Sequence, residues 1–478
     1  MSTYTTERYT DSARSAIGDP VLQKALSGFQ HRMGPATAGT YRRLPEGPAL
    51  RDTAHAIRTD AIANLDILLD VLADKVSSNG GHVHFARTAA DAVAYCLEVA
   101  RRHDVRRVVK GKSMVTEEVG LNAALADAGI EVNETDLGEY IIQLAGERPS
   151  HIIAPAIHKA RDQVGRLFAD KLGIAYTDDP PTLTRAARKA LREKFLSADM
   201  GVTGCNLACA ETGHITTVSN EGNIRMASTL PRVHVAFMGM ERVVARLEDH
   251  DILFRLLSRG AAAQKLGGYV SYVGGPGGAE HPDGPQEFHL IIVDNGRSRI
   301  LTDPDFREML CCIRCSACLN VCPVYGKIGG HAYGSPYSGP VGAVVTPLLI
   351  GLSRTRDLYH GETLCGACKD ACPVNIDLPR MLRELRFRFH AEAARGTPSP
   401  AARIERLTFA LWAWLIRRPA AYRAALRLAG AAQRLLPRRK DWIRRLPGPL
   451  GGWTLSRDLH AIDRKPFRER FGVGRTPR

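Results

Sequence analysis

The sequence predicts an α/β body, then a small helical domain rich in cysteine, then a basic C-terminal extension. Three observations carry that reading. Strand and helix signals alternate between residues 82 and 155. Seven cysteines fall in two short runs, one ending at Pro323 and the other at Pro373. The formal charge of +15 is concentrated in residues 401–478, which hold 19 Lys and Arg against 5 Asp and Glu. The first 400 residues are nearly neutral, so the net charge describes a basic tail rather than the body.

A length of 478 residues allows several domains and a sizeable core. Residues 1–60 read as a polar, helical N-terminal segment. Within Arg51–Leu72, Ile57, Ile62, Leu65, Leu68 and Leu72 recur at helical spacing. The turn-forming stretch Ser77–Gly81 breaks this pattern. Strands are then expected at His82–Ala86, Arg107–Lys110, Ile130–Thr135 and Ser150–Pro155, with helices at Ala89–Arg101, Thr116–Ala128 and Leu137–Leu144. A series of this kind makes a parallel sheet covered on both faces. Strands dominate afterwards, at Ala198–Cys209, Gly213–Ser219, Val233–Met238, Gly268–Gly275 and Glu287–Asp294, with a helix around Glu241–Ser258. The α/β domain is placed at 61–300, the cysteine-bearing domain at 301–395 and the basic extension at 396–478. In the last part, residues 380–394 are helical, and Gly396–Pro400 is a linker. Helices follow at Arg403–Arg418 and Ala420–Leu436, separated by Pro419, and a further one is expected at Leu455–Ile462.

The cysteine spacing carries the chemistry. Cys312, Cys315, Cys318 and Cys322, followed by Pro323, match the C-x₂-C-x₂-C-x₃-C-P run of a bacterial-type [4Fe–4S] site. Three closely spaced thiolates serve one cluster, and the fourth reaches a second. The partner run is Cys365, Cys368 and Cys372, followed by Pro373. The crossed assignment gives Cys312, Cys315, Cys318 and Cys372 to one cluster, and Cys322, Cys365 and Cys368 to the other. The second cluster is one thiolate short, because Glu362 stands where the run would begin. A [3Fe–4S] cluster, a [4Fe–4S] cluster with a non-cysteine ligand, or Cys311 reaching across would each complete it. The first two are preferred, since Cys311 adjoins Cys312 and points elsewhere. Zinc also takes four thiolates, but usually from two C-x₂-C knuckles, and these longer runs fit iron–sulfur chemistry better. The 42 residues between the runs, rich in Gly and Pro, are expected to cover a cluster or form a docking surface.

Clustered cysteines argue for metal rather than disulfides and for a reducing compartment. The N-terminus has no secretory signal pattern, and Leu407–Ile416, the best apolar run, is too short to span a membrane. The expected location is cytoplasmic.

Within the α/β part, Gly111–Glu118 follows a strand and opens a helix, where Lys112 and Ser113 could hold an anion. The plainer reading, preferred here, is a helix cap at Ser113 or Thr116 with Glu117 and Glu118 favoured by the helix dipole. Asn206, Glu211, Thr212, Asn220, Glu221 and Asn223 form a polar stretch that could converge on a pocket, or a simple turn with Gly222 at positive φ. Glu211 and Glu221 are candidates for proton or acyl chemistry only if buried together. Cys205 and Cys209 read as small buried hydrophobes, and His214, His234 and His289 as ordinary sheet residues without metal-like spacing.

Together, GKSMVTEE, TGCNLACAETGHITTVSNEGN, PQEFHLIIVDNGR, CIRCSACLNVCPVYGKIGGHAYGSPYSGPVGAV and LCGACKDACPV resemble the lactate utilization iron–sulfur protein B family over about residues 50–400. The resemblance implies a lactate-utilization domain similar to the sugar-isomerase and CoA-transferase-like fold, followed by a ferredoxin-type module with two iron–sulfur clusters. It implies electron transport in oxidation of L-lactate to pyruvate. The implied partners are a cysteine-rich iron–sulfur subunit and another subunit with the same α/β domain. Carried over, the ligands are Cys312, Cys315, Cys318 and Cys372, then Cys322, Cys365 and Cys368. The family pattern tolerates a missing cysteine at the position of Glu362.

Three functional readings compete. The first is an electron-transfer subunit. The second is an enzyme whose α/β domain binds a 2-hydroxy acid, with Lys112 near the carboxylate. Against it stands the lack of a G-x-G-x-x-G fingerprint at the first βα turn. The third is a nucleic-acid-binding protein, suggested by Arg residues interleaved with Trp412, Trp414, Trp442 and Trp453, but no recognised nucleic-acid module accompanies them. For the basic tail, subunit docking ranks first, a peripheral membrane contact second and nucleic acid last.

Overall fold

The computed structural model describes residues 4–44, 46–278, 283–395, 400–439, 441–454, 457–462 and 471. The chain divides into two compact units, Met1–His390 and Ala391–Arg478, each described by itself.

The first unit contains β1 (His82–Ala86), β2 (Arg107–Lys110), β3 (Glu131–Glu134), β4 (Met200–Gly204), β5 (Leu207–Cys209), β6 (Ile215–Ser219), β7 (Val233–Gly239), β8 (Val243–Val244), β9 (Tyr269–Val273) and β10 (Glu287–Val293). Six of these form a parallel sheet in the order β1-β10-β7-β4-β2-β3. The central strands are apolar along their whole length because both faces are covered, and every residue of β7 is buried. On one face, Val202, Val235 and Ile291 pack with residues of the helix Ala89–Arg102, including Cys96 and Val99. On the other, Met238, Leu290 and Ile292 meet Leu65, Leu69 and Leu72 of the helix Leu65–Ser78. Gly201 permits the helix Asn223–Thr229 to lie on β4, because a Cβ there would fall 1.7 Å from the Ala227 carbonyl oxygen. A smaller sheet, β8-β5-β6-β9, is fed by the segments leaving β4 and β7.

Chain direction creates a crevice in the main sheet. From β2 the chain passes to β3 on one side, whereas from β4 it passes, through the small sheet, to β7 on the other. The carboxyl ends of β2 and β4 therefore border a topological switch point, the customary ligand position in open parallel sheets.

Several local expectations change. Ser150–Pro155 is not a strand. The amides of Ile153 and Ala154 both donate to Nδ1 of His151 at 3.0 Å, and the Ser150 carbonyl accepts the Tyr325 hydroxyl at 2.9 Å, so the groups a ladder would need are already used. The segment Ala198–Cys209 is divided between β4 and β5, which lie in different sheets. The helix placed at Thr116–Ala128 is two helices, Met114–Val119 and Leu121–Asp127, parted by Gly120 at φ +73°. The helix near Glu241 begins only at Leu247, since Val243–Val244 is a strand. Two helices, Arg161–Leu172 and Pro180–Leu196, were not expected. The second had legible signals: Asp179 caps Thr182, Pro180 takes the first turn, and Leu183, Ala187, Leu191 and Phe195 repeat every four residues.

The N-terminal helices Tyr9–Gly18, Pro20–Arg42 and Gly47–Ala63 pack on the cysteine-bearing segment. Gln30 Nε2 donates to the carbonyls of Leu319 and Cys322 at 3.0 and 2.8 Å. Arg51 Nε and Nη2 both reach the Cys372 carbonyl, at 2.9 and 2.6 Å. The Gly- and Pro-rich connection between the cysteine runs contains a buried helix, Gly339–Ile350.

The second unit contains the helices Pro400–Ile416 and Pro419–Ala432 and three two-residue antiparallel strands. The helix expected at Leu455–Ile462 does not form over its described residues, because Leu459–His460 pairs with Trp442–Ile443. Of the expected linker, residues 396–399 lie outside the described residues. No helix among the described residues is long and apolar enough to cross a membrane.

Candidate iron–sulfur site

The two cysteine runs have one backbone shape. In the first, Arg314 and Ser316 flank Cys315 at φ +57° and +61°. In the second, Leu364 and Gly366 flank Cys365 at φ +56° and +88°. Left-handed backbone at three non-glycine residues is strained, and its recurrence on both sides of the middle cysteine marks one turn built twice. The correspondence sets Cys315 beside Cys365, Cys318 beside Cys368 and Cys322 beside Cys372. It sets Cys312 beside Glu362.

Cys312, Cys315, Cys318 and Cys372 line one small cavity with Ile313, Val341 and Ile376. Val341 belongs to the buried helix of the Gly- and Pro-rich connection, which thus covers this site. Backbone amides point at the sulfurs: Arg314 N–H donates to Cys312 Sγ, and Ile376 N–H to Cys372 Sγ, each at 3.4 Å. Such donors favour thiolate and tune a bound cluster. Cys322 lies elsewhere, receiving the Tyr325 N–H at 3.4 Å and donating to Glu362 Oε2 at 3.5 Å. Tyr333 hydroxyl donates to the other Glu362 oxygen at 2.9 Å. Burial pushes the Glu362 carboxyl above its ordinary range, opposed by the hydrogen bonds from Tyr333 and Cys322. Burial also pushes Cys368 up to about 12, with the charges of Glu362 and Cys365 adding to it, so these groups are neighbours. Cys365 is exposed. Cys311 is buried beside Arg58 and Thr59 rather than facing Glu362.

The donor set fits iron–sulfur clusters: thiols that are buried or partly buried, Cys365 excepted, grouped about apolar walls, with amides directed at sulfur. Four thiolates could hold the first cluster, and three thiolates with one carboxylate the second.

Residues remote in sequence complete the surroundings. Gly260, on the helix Leu247–Ala262, lies so close that a Cβ would stand 3.0 Å from Cys315 Sγ. Arg242 Nη1 and Nη2 donate to the carbonyls of Cys312 and Ile313 at 3.0 and 3.3 Å. Arg58 Nη1 donates to Val243 O at 2.7 Å, and its Nη2 to Leu310 O at 3.1 Å. Arg297 grips Glu118 with two bonds of 2.9 and 2.8 Å and Glu241 with a third of 2.8 Å. Tyr337, between the cysteine runs, donates to Glu118 at 2.6 Å, and the Arg314 guanidinium lies 4.6 Å from the Tyr337 ring centre. Although burial opposes it, the Arg297, Arg314 and Arg242 guanidiniums hold Glu241 down at about 2. None of these pairings had a signal in sequence spacing.

The α/β candidates divide. Ser113 caps its helix through the Thr116 amide at 3.4 Å, as the plainer reading had it. Lys112 instead turns to the Ile153 carbonyl at 2.9 Å, with Asp136 at 3.8 Å. Glu211 and Glu221 are exposed and serve the starts of different helices, accepting from Leu247 and Leu137 at 3.0 Å, so they are not buried together. Asn206 accepts from Val218 at 2.9 Å, Asn220 from Gly268 at 2.8 Å, and Asn223 donates to Thr135 at 3.2 Å. Thr212 Oγ1 accepts the His214 amide at 3.4 Å. His234 bonds Thr203 at 2.8 Å within the sheet. His289 lies on β10, as a sheet residue should, and parallel pairing sets it opposite His82; with Glu287 their ligand atoms lie within 4.8 Å of one another.

Comparison with known proteins matches three families: the LUD domain over residues 69–293, the 4Fe-4S dicluster domain over 308–376, and the lactate utilisation protein B C-terminal family over 384–472. An uncharacterized electron transport protein of Escherichia coli strain K12 is 45% identical over 460 residues, covering 96% of this chain and 95% of its own. Lactate utilization protein B of Bacillus cereus strain AH820 is 43% identical over 463 residues, covering 97% and 96%. A DUF162 family protein from Deinococcus radiodurans aligns with 48% of this chain and 98% of its own, at 14% identity and a TM-score of 0.28.

Proposed function

The chain belongs to the lactate utilization protein B family, which makes it an iron–sulfur protein of lactate utilization, and on that premise we propose that it is the electron-transfer subunit in oxidation of L-lactate to pyruvate. The observation that carries this reading is the twice-built turn, which presents two ligand sets within one fold. Cys312, Cys315, Cys318 and Cys372 hold one cluster. Cys322, Cys365 and Cys368 hold the second, with Glu362 in the remaining position. Bound clusters supply one-electron redox chemistry, which suits relay between a lactate-oxidising partner and an acceptor. The protein directs amides at sulfur and packs Val341 and Ile376 around the first site. We assign the α/β body to the sugar-isomerase and CoA-transferase-like folds and the location to the cytoplasm.

The second unit suits a docking role. Leu407, Leu411, Trp412 and Trp414 are all exposed on one helix in a strongly basic segment. Its partner in this reading is the cysteine-rich subunit or the second subunit with the same α/β domain.

Iron and acid-labile sulfide content, with EPR before and after dithionite, tests the function on anaerobically purified protein. About seven to eight irons with reducible cluster signals are expected. Stoichiometric zinc without sulfide would overturn the reading.

A further inference from the structure

Histidines and a glutamate meet at the amino end of the main sheet, along its β1 edge. His82 opens β1, the edge strand, and Glu287 opens β10 beside it. Parallel pairing sets His82 opposite His289, and alternation along β10 puts Glu287 and His289 on one face. The sheet thus gathers two imidazoles and a carboxylate from strands remote in sequence. The helix Ala89–Arg102 supplies Tyr95 on the same face, and His103 is its C-cap.

The distances are those of a metal ligand set. Glu287 Oε2 lies 3.1 Å from His289 Nε2 and 3.0 Å from His103 Nε2. The ligand atoms of His82, Glu287 and His289 all lie within 4.8 Å of one another. A tetrahedral zinc ion with bonds of about 2.0–2.1 Å holds its ligand atoms about 3.3 Å apart, close to the spacing of Glu287 and His289. His82 is exposed, and its ring centre lies 4.8 Å from that of His289, so rotation of its side chain closes the remaining gap.

Neighbouring groups orient the set. The His289 side chain is fully buried, and the Tyr95 hydroxyl lies 3.1 Å from its Nδ1, which leaves Nε2 directed at Glu287. Tyr95 is held in turn by stacking on His84, with ring centres 4.2 Å apart, and His84 bonds Asp91 at 3.0 Å. Partners of this kind fix the tautomer and direction of a ligating imidazole, and a bond such as that from His103 steadies a ligating carboxylate.

We propose that His82, Glu287 and His289 bind one divalent first-row transition ion, since two imidazoles and a carboxylate suit zinc and its neighbours. Three protein ligands leave a fourth position for solvent. The ion ties β1, which pairs with β10 alone, to that neighbour through side chains as well as backbone. The site shares no residue with the cysteine runs and does not rest on the electron-transfer reading. The competing account is a plain hydrogen-bond network in which Glu287 accepts from both rings.

Zinc is the probe, on the full, cluster-loaded chain handled anaerobically. The protein is dialysed against EDTA, given one equivalent of zinc chloride and desalted. About one zinc per chain should remain, and zinc-edge X-ray absorption should show nitrogen and oxygen at about 2.0–2.1 Å with no sulfur at about 2.3 Å. That shell separates this site from zinc held by cysteine. His82→Ala and Glu287→Gln should each lose the ion. The first changes an exposed side chain, and the second keeps an oxygen that accepts from His103, while iron content and melting temperature without zinc check both folds. No retained zinc, sulfur in its shell, or unchanged retention in either variant would each overturn the proposal. Iron and sulfide measured on the same sample keep the outcomes distinct: zinc beside full sulfide leaves the electron-transfer reading standing, and cluster-replete protein without zinc rejects the metal site alone.

Discussion

Cys322 donates its thiol to Glu362 Oε2 at 3.5 Å, joining the last cysteine of the first run to the residue that replaces the first cysteine of the second. Only 7% of Glu362 is exposed, and it has the same place in its turn that Cys312 has in the other. In the proposed assignment the carboxylate is the fourth donor beside Cys322, Cys365 and Cys368.

Replacing Glu362 tests that assignment. Glu362→Ala is expected to leave three thiolates and give a [3Fe–4S] EPR signal in the oxidised protein. Glu362→Cys should restore a four-thiolate set with about eight irons and no such signal. Identical spectra for wild type and Glu362→Ala would remove the carboxylate from the ligand set.

Gly260 gives a second test. A branched side chain there meets Cys315 Sγ and Tyr41 Oη, both at about 3 Å from Cβ alone. Gly260→Val should lower iron content by about four per chain, the content of the first cluster. Full iron loading in the variant would show that the helix can withdraw from Cys315.

The Arg297–Glu118 pair joins the sheet to the segment between the cysteine runs through Tyr337. Arg297→Met would leave Glu118 without a cation and Glu241 with Arg314 at 3.7 Å, both buried carboxylates with 2% of each residue exposed. The expected loss is about 3–5 kcal/mol, read as a lower urea midpoint. Glu118→Gln together with Arg297→Met should cost less than the sum of the single changes.

Acid should weaken the fold through buried histidines. Burial pushes His151 down to about 3, with the Lys112 charge adding to it, and burial pushes His234 to about 3, with His289 adding. Their folded values lie below the unfolded value of about 6.5, so below that pH the unfolded chain takes up protons that the folded chain refuses. Stability is whole above pH about 6.5 and declines as pH falls toward 3, by up to about 1.4 kcal/mol per pH unit for each histidine. Melting temperature between pH 7.5 and 5.5 should fall, and fall less steeply in His234→Gln (about half of the two-histidine contribution removed). Equal slopes would assign the acid sensitivity to other groups.

Local rules of the chain determined much of this protein. Alternating apolar strands and amphipathic helices marked the parallel sheet, since burial on both faces forces near-continuous apolar runs such as Val233–Gly239. Cysteine spacing marked the two runs and the odd place of Glu362, because ligand geometry is written into nearby residues. Tertiary structure alone decided what distant residues do. Ser150–Pro155 had the composition of a strand, yet His151 and Tyr325 took the backbone groups a ladder would use. Lys112 stood at a βα turn as expected, but only folding turned its Nζ to the Ile153 carbonyl. Gly260, Gln30 and Arg51 meet the cysteine runs across separations of 55 to 321 residues, and such contacts leave no periodic trace in sequence. Spacing encodes what one turn, helix or strand can do by itself, whereas the charge balance of a buried site depends on which segments packing brings together.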